Sequence, residues 1–218
     1  MPETNRLRSG VRGSIPAVTH EDQRERIMKA AMATIAERGM AGLRMADVSE
    51  RAGMSPGHIL YYYRSKQRLL METLRWSDDR LAEQRARELP RLATGEQRLR
   101  RFIEIYLPIG TLHPEWLLWL QAWALSAEVE EVSELTATLN ARWAADLIAI
   151  VVFGIGRGEF GTVDPAVFSA EFLAILDGLS LHVLRDTPTL DAGRALTVAV
   201  GIAAGRLGFD PGPRPADG

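Results

Sequence analysis

Three residues constrain this chain more than any others, because they set the gap between two helices. In the stretch RAGMSPGHILYYYRSKQRLL, residues 51–70, Gly53 stands where a helix ends in a left-handed residue, a conformation glycine adopts without steric cost. Two positions on, Ser55 offers a hydroxyl to the free amides of a new helix. Pro56 then takes the first helical position, where its missing N–H costs nothing. Helix, three-residue turn, helix is the spacing of a helix-turn-helix. So short a turn forces a sharp angle, and the second helix can enter a DNA major groove while the first lies across the backbone.

Charge agrees with that reading. Residues 1–68 hold 12 Lys and Arg against 7 Asp and Glu, whereas the remainder holds 14 against 21. A basic front on an acidic remainder suits a polyanionic partner. Tyr61, Tyr62 and Tyr63 point about 100° apart around a helix, so they cannot share one environment. One is expected in the core and the others toward groove or backbone, beside Arg64, Lys66 and Arg68.

The rest of the chain also reads as helical, with no alternating β-branched runs and no Asn-Gly hairpin signals. Helices are expected over residues 21–38 (stopped by Gly39), 45–52, the tyrosine segment, 66–88 (closed by Pro90), 96–107, 114–126, 128–157, 164–186 and 190–207. The fold class is all-α. Residues 1–19 and 209–218, rich in Pro, Gly and charge, are expected to be disordered.

Several classes of function are disfavoured. The chain has no cysteine, which excludes disulfides and thiolate metal sites, and His20, His58, His113 and His182 are scattered, so neither a metal nor a cofactor is expected. Residues 1–16 lack the apolar core of a signal peptide. The longest uncharged apolar run, residues 147–156, falls short of the roughly 20 residues that span a bilayer. A cytoplasmic protein without membrane attachment is expected. Residues 156–161 spell G-x-G-x-x-G, but a long helix precedes them instead of a strand, so they read as a helix terminator and not a dinucleotide site. An all-helical enzyme using Asp146, Asp177 or His182 as acid or base is the alternative, although nothing pairs these residues at diagnostic spacing.

Gly39, the run Val48-Ser49-Glu50-Arg51-Ala52-Gly53-Met54-Ser55, Gly57, Tyr63, Ser65-Lys66 and Leu69-Leu70 together resemble the DNA-binding domain of the TetR family of transcriptional regulators. The resemblance covers about 50 residues and implies a three-helix head on a larger, all-helical, dimeric body that binds a ligand. Residues 1–19 then form a basic arm, 20–66 the helix-turn-helix domain, 67–208 the ligand-binding and dimerisation domain, and 209–218 a tail. Arg44, His58 and Leu60 replace threonine, threonine and tyrosine of many members, and the segment from Gly57 to Tyr63 is closer to the choline-responsive BetI branch. The resemblance therefore points to Arg44, Met45, Ser55, Pro56, Gly57, His58, Tyr61, Tyr62 and Lys66 as DNA-facing, with Tyr63 in the core. More loosely, Trp116-Leu117-Leu118-Trp119, Gly158-Glu159-Phe160 and Asp177-Gly178-Leu179 resemble the same branch.

The expected function is a regulator, most simply a repressor of a palindromic operator released by a small-molecule inducer. The helix from Lys66 would be the lever between head and body. The last two expected helices carry small residues (Gly178, Ala199, Ala203, Ala204, Gly205) that could let two copies form a four-helix dimer core. Trp116, Trp119 and Trp123 stand at i, i+3 and i+7, on one helix face, and Trp143 could complete an aromatic wall. These rings either fill the core or line a pocket. With Asp177 and Asp146 near the same cavity, a pocket would favour a cationic or flat aromatic ligand over a carboxylate one.

Overall fold

Each helix starts where the sequence supplies a cap. In the computed structural model, which describes residues 20–111 and 113–211, nine α-helices and one 3-10 turn follow in order, with no strand among the described residues. They are α1 (His20–Gly42), α2 (Met45–Ala52), α3 (Pro56–Tyr62), α4 (Lys66–Glu88), α5 (Gly95–Tyr106), α6 (Pro114–Ser126), α7 (Glu130–Gly156), α8 (Pro165–Leu184) and α9 (Ala192–Leu207). The 3-10 turn, Leu89–Arg91, ends α4 at Pro90. The expected arm and residues 212–218 of the expected tail lie outside the described residues, but the tail is ordered at its start: Phe209 packs on Phe160 at 5.3 Å between ring centroids and the Pro211 carbonyl accepts from Arg100 Nη2 at 3.2 Å.

Ser65 caps α4 by accepting from the Arg68 amide, Asp164 caps α8, Asp191 caps α9, and Thr94 and Gln97 form a reciprocal capping box on α5. The caps explain where the expected boundaries were too generous. Asp164 and Asp191 carry extended backbone, so α8 and α9 start one residue after each. Gly39 does interrupt the first helix, at φ 65°, ψ 176°, but helical turns resume as far as Gly42.

Two apolar clusters organise the molecule. The first joins the head (Ile27, Ile35, Val48, Ile59, Tyr63, Leu70) to Leu118, Trp119 and Ala122 of α6 and to Leu135 and Leu139 of α7. The second fills the body with Phe102, Trp143, Leu147, Phe160, Phe172 and Leu176 among others. The head core does not close on itself at residue 66. It runs on into the body.

Helices α7 and α8 are each long and apolar enough, by length and composition, to cross a membrane. Each instead buries one side in the second cluster, through Leu147, Ile150 and Val151 and through Phe168, Phe172 and Leu176. The small residues expected at a dimer face divide. Ala199, Ala203 and Ala204 are buried within their own chain, while Gly178 and Gly205 have nothing within 4 Å of a would-be Cβ. Close packing between α9 and its own neighbours claims the alanines.

Candidate functional site

The head is built as the turn chemistry requires. Gly53 takes φ 65°, ψ 40°, and the amides of Gly53 and Met54 close back on the carbonyls of Glu50 and Ser49. A Cβ at Gly53 would also lie 2.8 Å from Arg26 Nη2, which donates to the Ala52 carbonyl at 2.6 Å and ties α1 to the turn. Ser55 Oγ accepts from the His58 amide at 3.3 Å. Helix α3 and its C-cap residue then sort the tyrosines by burial: Tyr63 is 7% exposed, Tyr62 39% and Tyr61 78%. Tyr62 Oη lies 2.8 Å from His20 Nε2, and its ring meets those of His58 and Tyr61 edge-on at 5.1 Å each. Arg44, Ser55, Pro56, Gly57, Tyr61 and Lys66 are exposed, while His58 and Met45 are half-buried. Met45 packs against the head core. Arg44 precedes α2 without capping it by its side chain. The exposed Leu60 joins the same surface.

The body holds an aromatic cage. Trp116, Trp119, Trp123 and Trp143 line one cavity with Tyr106, which sequence reasoning had not singled out. The rings meet mostly edge-on: Tyr106 to Trp143 at 5.0 Å, Tyr106 to Trp116 at 5.6 Å, and Trp116 to Trp123 at 5.9 Å between centroids. Trp116 Nε1 donates to the Tyr106 carbonyl at 2.7 Å. Glu115 and His113 add polar groups to the wall, as does Asn140. The cavity holds only about 30 Å³, room for one or two waters.

Asp177 does not line this cavity. It stands behind Tyr106, whose hydroxyl donates to Asp177 Oδ1 at 2.5 Å, and burial pushes the carboxyl up from its usual range. Burial and the nearby carboxylate raise the Tyr106 phenol as well, so it stays a donor. Asp146 is likewise absent from the cage, because it accepts from Arg85 Nε at 2.6 Å. The distances reflect helix packing that sequence spacing cannot reveal.

Helix α4 grips the cage wall from behind. Trp143 Nε1 donates to the fully buried Asp78 at 2.8 Å. The guanidinium of Arg85, itself 1% exposed, lies 3.5 Å from the Trp143 ring centroid. Its two terminal nitrogens have no hydrogen-bond partner, and the ring face offers the guanidinium a cation–π contact instead. Arg142 forms ion pairs with Asp78 at 2.9 Å and Asp79 at 2.8 Å. Burial raises the Asp78 carboxyl and lowers Arg85, in each case outweighing the opposite charges nearby.

Helix α6 supplies a second link to the head. Trp119 belongs both to the cage and to the head core. Two residues on, Gln121 Oε1 accepts from the Met40 amide at 2.8 Å, beside the Gly39 break in α1, where a Cβ would come within 3.4 Å of the same oxygen. Helices α4 and α6 thus both touch the cage and the DNA-facing head.

These features have counterparts in known proteins. Residues 27–73 match the family described as "Bacterial regulatory proteins, tetR family". Residues 95–207, more than half of the chain, match "BetI-type transcriptional repressor, C-terminal". The chain belongs to the TetR family. Among relatives of this TetR-family chain, the HTH-type transcriptional regulator BetI of Rhizobium meliloti (strain 1021) is 27% identical over 199 residues, 88% of this chain and 95% of the relative. BetI of Yersinia pestis (strain Pestoides F) is 30% identical over 130 residues, 58% of this chain and 66% of that one. A crystal structure of a transcriptional regulator from Saccharomonospora viridis in complex with choline superposes with a TM-score of 0.80 at 27% identity, covering 86% of this chain and 98% of that one.

This TetR-family, BetI-like chain is a ligand-responsive DNA-binding transcriptional regulator and not an enzyme. The residues of the enzyme alternative have structural partners: Asp146 pairs with Arg85, Asp177 accepts from Tyr106, and His182 lies 3.3 Å from the Thr187 hydroxyl on the surface. The Gly-rich segment ends α7 and turns the chain back. Gly158 is left-handed, and the Gly161 amide donates to the Leu207 carbonyl at 2.7 Å.

Proposed function

We propose that the protein is a cytoplasmic, homodimeric repressor whose head, residues 20–66, binds a palindromic operator, and whose body, residues 67–208, releases it on taking a quaternary-ammonium ligand of the choline class. The observation that carries this reading is the cage of Tyr106, Trp116, Trp119, Trp123 and Trp143. Indole and phenol faces attract a cation that has no N–H to donate, and such cages suit trimethylammonium heads. Glu115 in the wall adds a carboxylate, which favours a cation and opposes an anionic ligand. The choline bound by the Saccharomonospora viridis relative supports the same class.

DNA contact falls to the exposed surface of α3 and its flanks. Tyr61, Tyr62, Arg44 and Lys66 reach phosphates, while His58 and Leu60 face base edges; Ser55, Pro56 and Gly57 bring the start of α3 close to the backbone, with Met45 supporting α2 beneath. A second copy covers the outer faces of α8 and α9, where Val167 (51%) and Leu181 (38%) are exposed and Gly178, Gly201 and Gly205 leave open space.

The mechanism follows from the cavity size. A trimethylammonium group entering so tight a cage presses its ring walls apart. Trp143 moves against Asp78 and Arg85 of α4, and Trp119 moves against the head core. The operator binds the closed form, and the ligand binds the open one; that difference in affinity shifts the population. Choline titrated into the protein should change tryptophan emission saturably. Trp123→Leu, which empties the cage of one ring, should weaken choline binding at least about tenfold. Emission that does not respond to choline at millimolar concentration would refute the ligand class.

A further inference from the structure

Within the cage the aromatic rings account for a cation, but one wall residue has no such role. His113 occupies the N-cap of α6, yet its side chain makes no capping bond, and it lines the cavity instead. Its Nδ1 is buried with no hydrogen-bond partner. Its Nε2 lies 3.7 Å from Glu115 Oε2, which also lines the cavity. A buried nitrogen without a partner is costly, and a ligand that supplies the missing hydrogen bond gains what an isostere lacking it cannot.

The carboxylate decides which kind of partner is missing. Burial keeps the imidazole below its usual range, against the opposing pull of Glu115, so at neutral pH the ring carries one proton. That proton sits on Nε2, facing the carboxylate, because a lone pair there would face negative charge. Nδ1 is then an acceptor, and it calls for a donor.

We infer that His113 is a specificity-determining residue of the cage, the acceptor that reads the hydroxyl beside the ligand's cationic head. The inference rests on the cage reading and adds a second requirement to it. The rings and Glu115 hold the cation, and His113 Nδ1 accepts from the hydroxyl. A cation of the same shape with a methyl in place of the hydroxyl leaves Nδ1 unpaired. Glu115 acts as a positioning residue by fixing the tautomer. A glutamine at 115 could present its amide N–H to Nε2, so that the ring proton moves to Nδ1 and the acceptor is lost.

The full-length protein is titrated with choline and, separately, with propyltrimethylammonium, in which a methyl replaces the hydroxyl, following tryptophan emission. Choline should bind the parent about tenfold more tightly, the worth of one buried hydrogen bond. His113→Leu should bring the two affinities together. Glu115→Gln, on a partly exposed side chain, should also narrow the ratio, and it serves if His113→Leu does not fold. Equal affinities in the parent overturn the inference while leaving the cation cage standing. So does a preference that survives in both variants, which would assign the hydroxyl to another group such as Asn140. If neither cation binds the parent, the cage reading fails and this inference falls with it.

Discussion

At the scale of single residues, buried polar groups hold the aromatic rings of the cage. Asp78 and Arg85 hold Trp143, and Asp177 holds Tyr106 through its hydroxyl. Breaking such buried pairs by removing one charge typically costs about 3–5 kcal/mol, so Asp78→Ala would confuse folding with signalling. Asp177 allows a cleaner test. Burial raises its folded pKa above the unfolded value, so its contribution to stability is fully present below the ordinary carboxyl pKa and is lost as pH rises through the folded one. Asp177→Asn keeps an acceptor for Tyr106 and removes the ionisation. Thermal melts from pH 4 to pH 8 should therefore show the parent losing ground against Asp177→Asn as pH rises. A gap that stays constant across the range would show that Asp177 is not ionising in a buried setting.

At the scale of elements, legibility in the sequence followed the range of the interactions. The turn at Gly53, Ser55 and Pro56 is local chemistry, and the structure forms it with the expected left-handed glycine and serine cap. That the three tyrosines would part was legible for the same reason, since helix geometry forbids three neighbours one environment, while the family resemblance singled out Tyr63 as the buried one. The tryptophan stripe on α6 was visible as spacing. Tyr106 and His113 were not, because they reach the cage only through the way α5 and the loop before α6 pack. Arg85 pairs with Asp146 across 61 positions, and Trp143 with Asp78 across 65, so no local pattern announces them. The end of α7 offers a test of packing at this scale. A Cβ on Gly154 would come 2.2 Å from Phe160 Cδ2, in the turn that folds the Gly-rich segment back onto α7. Gly154→Ala should destabilise the body by about 1–3 kcal/mol, as overpacking commonly does, and shift the denaturation midpoint down accordingly. Adding Phe160→Leu should recover part of that loss. An unshifted midpoint would mean the turn has slack that the structure does not show.

At the scale of the whole molecule, the proposed sites for two recognition events meet in one shared core. Two heads on a two-fold dimer should read half-sites whose centres lie about one helical turn, roughly 10 bp, or a multiple apart. Binding should fall steeply with salt, because arginine and lysine contacts release counterions from the duplex. Operator footprints and salt titrations check both, and salt-insensitive binding by a monomer would contradict the proposed assembly. The central claim is that filling the cage and leaving the operator are one linked event. Linkage makes that claim reciprocal: whatever factor choline takes from operator affinity, the operator must take from choline affinity. The direct test is to measure choline affinity with and without saturating operator duplex, and operator affinity with and without saturating choline. Weakening by the same factor in both directions is expected, on the order of tenfold or more for a functional switch. Choline affinity unchanged by the operator would contradict it, however tightly each binds alone.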